Sequence, residues 1–82
     1  MFLHVEKASY IDEYKISIEF NNGKERVVDL MNELSGEVFE PLKRLDFFKN
    51  FFISHNTIEW QNGADFAPEF LYEIGIDKKT VK

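Results

Sequence analysis

The amino-acid sequence predicts an α+β domain in which a small, mostly antiparallel sheet, made of a β-hairpin and further short strands, packs with two short helices. Polar and apolar residues alternate on both sides of Asn22-Gly23, a pattern typical of a β-hairpin. Two later segments, which follow Pro41 and Pro68, carry apolar residues at helical spacing. The chain has 82 residues, a length that one hydrophobic core can organise, so these elements are expected to form one domain.

Three strands are predicted in the first part of the chain. Residues 2–9 alternate weakly between apolar and polar types, which indicates a first strand. Residues 14–20 alternate clearly and predict a half-buried strand. Residues 25–30 predict the strand that returns beside it, and the tight turn between the two makes the pair antiparallel.

The length of the Asn-Gly loop decides which side chains of the returning strand face the core. A two-residue loop at 22–23 would place Asp29 on the apolar face, whereas a three-residue loop at 21–23 would place Val28 and Leu30 there. The longer loop requires its glycine to adopt a positive φ, which glycine does at no steric cost. Because it buries apolar residues and exposes the carboxylate, the three-residue loop is our prediction.

The middle of the chain predicts one helical turn, one helix and two short strands. Residues 31–34 form the turn, and residues 41–49 predict a helix that begins at its proline. The apolar residues of this helix, at helical spacing, are Leu42, Leu45 and Phe48. Residues 51–54 and 57–60 are extended runs on either side of the turn-prone His55-Asn56.

A second helix is predicted to begin at Pro68. Gly75 is placed as its C′ residue, and Ile76 is expected to close over its last turn. The folded domain is predicted to span residues 1–76, and the polar segment 77–82 is predicted to form a fraying tail.

Composition and charge restrict the function. The net charge of −5 and the pI of about 4.9 argue against direct nucleic-acid binding, which relies on Lys and Arg residues that neutralise phosphates. An acidic surface favours solubility or contact with a basic partner. The sequence has no cysteine, no apolar run long enough to span a membrane and no signal-peptide pattern, so we expect a cytoplasmic protein without membrane contact.

Aromatic residues are abundant, with nine Phe, three Tyr and one Trp. Phe47 and Phe48 would lie about 100° apart on a helix, and Phe51 and Phe52 would point to opposite faces of a strand. At least one of these rings is therefore expected to leave the main core. Either loops or the last helix cover it, or Phe47, Phe51 and Phe52 form an interface with a partner or with a second copy of the chain.

The sequence contains no motif for catalysis or for cofactor binding. His4 and His55 lack the spacing of a metal site, and the serines and glycines fit neither a nucleophile motif nor a phosphate-binding loop. We therefore predict no catalytic residue, no metal ligand, no cofactor and no enzymatic activity.

The densest group of motif residues lies in the segment 60–72. A predicted strand ends at Trp60, the chain turns at Asn62-Gly63 and a helix begins at Pro68. Asp65 precedes that helix, where a carboxylate can accept backbone N–H bonds and act as a cap. The candidate residues of this motif are Trp60, Asn62, Gly63, Asp65, Pro68 and Tyr72.

Two interpretations of this motif remain open. In the first, it is a structural corner, around which the aromatic rings of the segment pack: Trp60, Phe66, Phe70 and Tyr72. In the second, it is a recognition surface built from Trp60, Asn62, Asp65 and Tyr72.

The segment 60–72, WQNGADFAPEFLY, resembles the hallmark W-P-N-G-A-D-L-x-P-[DE]-x-L-Y of a bacterial family of domains of unknown function, family 2442. Two earlier blocks are similar to the same family. Residues 14–30, YKISIEFNNGKERVVDL, resemble its strand, turn and strand ending in Asp-Leu, and residues 36–48, GEVFEPLKRLDFF, resemble its G-x-V-F-x-P-L … F stretch. Gln61 stands where proline is usual, so the turn is kept with less rigidity.

The resemblance implies a domain similar to the N-terminal part of proteins that carry a C-terminal helix-turn-helix module. It also implies genes that stand beside another small family, in arrangements like toxin–antitoxin pairs. It supplies no catalytic residue.

Three functions follow, in order of preference. The first is a non-enzymatic protein-interaction domain, an accessory or antitoxin-like protein that binds a small, basic neighbouring-gene product or a second copy of itself. The second is a small-ligand or DNA-linked regulatory domain. The third is a small metal-dependent hydrolase or nuclease that uses Asp29, Asp65 and other carboxylates.

Overall fold

The computed structural model describes residues 2–77, and it confirms the α+β class. The strands and α-helices are β1 (Val5–Asp12), β2 (Lys15–Phe20), β3 (Glu25–Asp29), α1 (Leu45–Phe48), β4 (Phe52–Ser54), β5 (Thr57–Glu59), α2 (Pro68–Ile74) and β6 (Ile76–Asp77). Two 3₁₀ segments, Met31–Glu33 and Glu37–Lys43, lie between β3 and α1. The strands form a four-stranded antiparallel sheet of order β1-β2-β3-β6 and a separate two-stranded sheet of β4 and β5.

The hairpin of β2 and β3 has the predicted three-residue loop. Ile16 lies opposite Val28, and the loop at 21–23 ends with Gly23 at a φ of 86°. Val28 and Leu30 are fully buried with Ile16 and Ile18, whereas Asp29 is exposed. The prediction that the loop length follows from burial of the apolar residues is therefore confirmed.

The first strand begins and ends later than predicted: it runs over Val5–Asp12, whereas the prediction placed it at 2–9. Its pairing with β2 shifts register between Val5 and Lys7 and again between Tyr10 and Asp12. Each β-bulge adds a residue and so breaks the two-residue alternation of side chains. The strand therefore carries only a weak sequence pattern.

The helix predicted over 41–49 is wrong in its boundaries. Pro41 lies inside the second 3₁₀ segment, and Arg44, with extended backbone at φ −84° and ψ 122°, separates that segment from α1. Two of the three predicted core residues, Leu42 and Phe48, are buried, but Leu45 is 40% exposed. The break at Arg44 changes the direction of the chain, so the three side chains do not share one stripe.

The second hairpin follows the prediction. β4 and β5 are joined by His55 and Asn56, which both have positive φ, at 52° and 72°. Two consecutive residues with positive φ give the tight turn that suits the twist of a two-residue hairpin. The carbonyl oxygen of Asn56 accepts a hydrogen bond from the Val5 N–H at 2.8 Å, which links this hairpin to β1.

Helix α2 begins at Pro68 as predicted, but its C-terminal end differs from the prediction. Gly75 is extended, at φ −68° and ψ 147°, rather than left-handed. Ile76 does not close over the helix, because it pairs with Val27 as part of β6 and leaves its side chain 59% exposed. Asp77 also belongs to β6, and the rest of the predicted tail 77–82 lies outside the described residues.

The hydrophobic core lies between the four-stranded sheet and the later elements. Its members with fully buried side chains include Ile16, Ile18, Phe20, Leu42, Phe48, Ile58, Trp60 and Leu71. These residues come from both sheets, both α-helices and the second 3₁₀ segment, so one core joins all parts of the described chain. None of the helices in the described part is long and apolar enough to span a membrane.

Candidate functional site

Trp60 is the centre of the motif and of the core. Its side chain is 1% exposed, and its indole Nε1–H donates a buried hydrogen bond of 2.7 Å to the carbonyl oxygen of Phe48. The ring contacts those of Phe48, Phe51 and Phe66, with centroid distances of 5.7, 6.2 and 6.0 Å. The indole therefore fastens the loop before α2 to the C-terminal end of α1, and it is not available to a ligand.

The two Asn-Gly sequences of the chain form the same turn. In 20–24 the Gly23 N–H donates to the Phe20 carbonyl, and in 60–64 the Gly63 N–H donates to the Trp60 carbonyl, both at 2.9 Å. The side-chain oxygen of Asn22 accepts from the Lys24 N–H at 3.0 Å, and that of Asn62 from the Ala64 N–H at 3.2 Å. Gly63 has a φ of 90°, close to the 86° of Gly23. The Asn-Gly pair of the motif therefore has a complete explanation in turn geometry.

The side-chain amide of Asn62 donates a shorter hydrogen bond than that of Asn22. Its Nδ2 donates to the Val38 carbonyl at 2.8 Å, whereas the Nδ2 of Asn22 makes only a long contact of 3.4 Å with the Tyr72 hydroxyl. Because a net protein hydrogen bond contributes about 0.5–1.5 kcal/mol, we expect Asn62→Ala to lower the free energy of unfolding by about 1–2 kcal/mol and Asn22→Ala by less. Urea unfolding of both variants checks this order, and a larger loss for Asn22→Ala would contradict it.

Asp65 does not cap α2, so that part of the prediction is wrong. The N-cap residue is Ala67, and no side chain bonds the first backbone N–H groups of the helix. Asp65 instead pairs with Glu59 through an isolated antiparallel bridge of the backbone. This pairing holds it two positions before the N-cap, and its side chain is exposed.

Tyr72 packs against the β2–β3 hairpin. Its ring packs edge-to-face on Phe20 at 5.1 Å, and the guanidinium carbon of Arg26 lies 4.0 Å from the ring centroid. Arg26 also donates from Nη1 to the carbonyl oxygens of Tyr72 and Gly75, at 3.2 and 3.5 Å. A cation at this end of a helix bonds its last carbonyls and favours its dipole, so Tyr72 and Arg26 join α2 to the β2–β3 hairpin.

The three candidate interface aromatics lie around one surface. Phe47 and Phe51 are half-buried, and Phe52 is 41% exposed, so the prediction that at least one ring leaves the core is confirmed. A cleft of about 380 Å³ is lined by Phe47, Lys49, Asn50, Phe51, Phe52 and Gln61. A smaller one of about 200 Å³ shares Phe47 and Asn50 with it and is also lined by Pro41, Arg44 and Asp46.

The structure also brings together Ser54, His55 and Glu59, a group that no spacing in the sequence indicated. The Ser54 hydroxyl lies 3.1 Å and the Glu59 carboxylate 3.2 Å from the same ring nitrogen of His55, Nδ1. A serine–histidine–acid triad needs the serine and the acid on opposite ring nitrogens, so that the base takes a proton at one while the other is held. This group therefore lacks the arrangement for acyl transfer.

The carboxylates of the hydrolase hypothesis are not brought together with metal ligands. Asp29 stands at the end of β3, where its side chain accepts from the Met31 N–H at 3.1 Å, and Asp65 lies before α2. Among residues 2–77, no group of three or more His, Asp or Glu side chains converges on a point that could hold a metal ion.

Comparison with protein families decides the relationship of the chain. The family model for proteins of unknown function, DUF2442, matches residues 5–77, which include every element of the fold. The chain belongs to the DUF2442 family. The family predicted from the sequence is thereby confirmed.

No curated protein and no solved structure matches this DUF2442 domain. The family description names no activity, and a fold by itself does not imply one. In this DUF2442 domain the structure accounts for five of the six motif candidates by a contact or a backbone conformation: Trp60, Asn62, Gly63, Pro68 and Tyr72.

Proposed function

We propose that this protein is a non-enzymatic interaction domain, an accessory or antitoxin-like protein that binds a small basic partner encoded by a neighbouring gene. The observation that carries the proposal is that Asp65 is the one motif candidate whose side chain has no hydrogen-bond or packing role within residues 2–77. It is exposed, and it makes no hydrogen bond or ion pair with another described residue.

The charge around Asp65 supports a basic partner. The chain has no Lys or Arg from residue 50 to residue 77. Helix α2 presents two further exposed carboxylates, Glu69 and Glu73, at the four-residue spacing that places them on one face. Neither has an ion-pair partner within the described part of the chain. Exposed carboxylates that are not paired within the described chain attract a positively charged surface and accelerate encounter with it.

The roles of the other motif residues support Asp65 as the recognition residue. Trp60, Asn62 and Pro68 shape the loop and begin the helix, so they hold Asp65 in a defined position on rigid elements. A binding residue that is held in this way loses little conformational entropy when the partner binds. The motif is thus proposed to combine a structural corner with one recognition residue.

The test of this proposal is Asp65→Asn, which removes the charge and keeps the shape of the side chain. We expect its free energy of unfolding to stay within about 0.5 kcal/mol of wild type, because exposed side chains without partners contribute little to stability. We also expect the neighbouring-gene product to be lost from a pull-down at native expression levels, and the wild-type complex to weaken as salt is added.

The matched control is Glu13→Gln, which also removes one negative charge, from the exposed turn between β1 and β2. It should retain the partner. The proposal is overturned if the wild-type protein recovers no neighbouring-gene product, or if both variants weaken binding equally. A variant Asp65→Asn that unfolds would show that the residue is structural.

A further inference from the structure

We propose that β4 is a self-association edge, on which the β4 strand of a second copy of this chain pairs antiparallel about a two-fold axis near Ile53. The surface differs from that assigned to the basic partner, and this inference does not depend on the proposed function. Four features of the described chain support it: the free main-chain groups of Ile53, the exposed apolar side chains, the lack of acidic residues, and the contrast with β1.

The main-chain groups of Ile53 point away from the hairpin. Ser54 and Thr57 close a two-residue turn, so this pair exchanges both of its hydrogen bonds. Hydrogen-bonded and non-hydrogen-bonded pairs alternate along an antiparallel ladder, so the next pair, Ile53 and Ile58, is non-hydrogen-bonded. The N–H and the C=O of Ile53 therefore face outward, and neither bonds another residue of the described chain.

The side chains at this edge are apolar and accessible on both faces. Phe52 is 41% and Ile53 is 43% exposed, although successive residues of a strand point to opposite sides. On the partner strand of the hairpin, Thr57 and Ile58 are both buried. Both strands of this two-stranded sheet are edge strands, and β4 is the more exposed of the two. The cleft beside it is lined in part by Phe47, Phe51 and Phe52.

The distribution of charge favours a second copy of the chain as the partner of β4. The stretch 47–58 contains four of the nine Phe residues and no Asp or Glu, and it is the longest stretch of the chain without an acidic residue. Two copies that each carry a net charge of −5 repel one another, and β4 itself carries no carboxylate. The nearest carboxylate in the hairpin, that of Glu59 opposite Phe52, contacts the His55 ring at 3.2 Å. A strand that pairs with itself about a two-fold axis is self-complementary, as a symmetric dimer interface requires.

The longer edge strand β1 is protected against pairing with another chain, and β4 is not. β1, at the edge of the four-stranded sheet, carries exposed charges at Glu6, Lys7 and Asp12 and two register shifts. Charged side chains and bulges are devices that prevent an edge strand from pairing with another chain. β4 has neither a charged residue nor a register shift. The contrast indicates that pairing is prevented at β1 and permitted at β4.

The contact is small, because β4 has only three residues. A stable interface buries about 800 Å² per partner, and smaller interfaces are typical of weak, reversible association. We therefore expect a monomer–dimer equilibrium that shifts to monomer on dilution. Added salt should strengthen it, because screening reduces the repulsion between two acidic chains. Binding of a basic partner has the opposite salt dependence.

The experiment is sedimentation equilibrium of the purified chain over a concentration series at low and high salt, with two variants. Ile53→Lys places a charge at the two-fold axis, and Ile53→Pro removes an N–H that the hairpin does not use, at the type of edge position where proline is tolerated. Each variant should raise the dissociation constant of the dimer at least about tenfold. Met31→Lys is the matched control, because it places the same charge at a residue that is 60% exposed outside this stretch, and it should dimerise like wild type.

A wild-type chain that stays monomeric at millimolar concentration overturns the proposal. So does a dimer that both Ile53 variants leave unchanged, or one that salt weakens. The salt dependence is measured on the wild-type chain, so the proposal can be refuted even if a variant fails to fold. Asp65→Asn should dimerise like wild type, which separates this result from the test of partner binding.

Discussion

Trp60→Ala is expected to unfold most of the protein at room temperature or to lower its melting temperature by more than about 12 °C. Truncation of a buried Trp to Ala costs about 3–5 kcal/mol, and 1 kcal/mol corresponds to about 4–8 °C in a domain of this size. A chain of 82 residues has a total stability of about 4–12 kcal/mol, at about 0.05–0.15 kcal/mol per residue. Circular dichroism during heating measures the loss.

Trp60→Phe separates the contribution of ring packing to stability from that of the indole hydrogen bond. The smaller ring can still pack on Phe48 and Phe66, but the Phe48 carbonyl loses the donor that now lies 2.7 Å away. An unsatisfied buried acceptor costs about 1–3 kcal/mol, so this variant should melt between wild type and Trp60→Ala. If Trp60→Ala melts within a few degrees of wild type, the indole is not the centre of the core.

Gly75→Ala is expected to destabilise the protein by about 1–2 kcal/mol, although the backbone of Gly75 is one that alanine adopts readily. A Cβ at this position would lie 2.8 Å from the Cβ of Arg26 and 2.9 Å from the carbonyl oxygen of Leu71. Overpacking of this kind costs about 1–3 kcal/mol, and it would also displace Arg26 from the carbonyls at the end of α2. Urea unfolding measures the difference.

The sign of the Gly75→Ala effect tests the close approach directly. With φ at −68°, replacement of glycine by alanine would by itself stabilise the native state by about 0.4–1 kcal/mol, because it restricts the unfolded chain. A stabilised variant would therefore contradict the contact with Arg26. Glu73→Ala, an exposed position on the same helix, serves as the control and should change the free energy by no more than about 0.5 kcal/mol.

The parts of the fold that the sequence predicts well are those fixed by local chemistry. The loop at 21–23, the turn at His55-Asn56 and the start of α2 at Pro68 depend on residues that favour one backbone conformation. The parts predicted poorly depend on contacts between distant residues. In sequence Gly75 resembles a glycine that ends a helix. The structure instead shows that a Cβ at this position would collide with the side chain of Arg26 on β3.

In the candidate site, too, local features could be predicted from the sequence and contacts between distant residues could not. Trp60 and Asn62 could be placed at a corner from sequence, but their partners, Phe48 and Val38, are remote and have no signature in the motif. Within residues 2–77 the Asp65 side chain makes no hydrogen bond or ion pair, whereas the sequence predicted a cap, because the backbone pairing of Asp65 with Glu59 has no local signature. Half-exposure of Phe52 follows from the edge position of β4, which no local pattern determines.

The place of β6 in the sheet has a consequence for the order of folding. β1, β2 and β3 are joined by short turns and can pair as soon as they collide, whereas β6 pairs with β3 through Arg26–Asp77 and Val27–Ile76, which lie far apart in the chain. Closing a long loop costs entropy before any contact repays it, so such pairings form late. During synthesis the edge of β3 that β6 covers therefore stays unpaired until almost the whole described chain has been made, and for that interval it can pair with another chain.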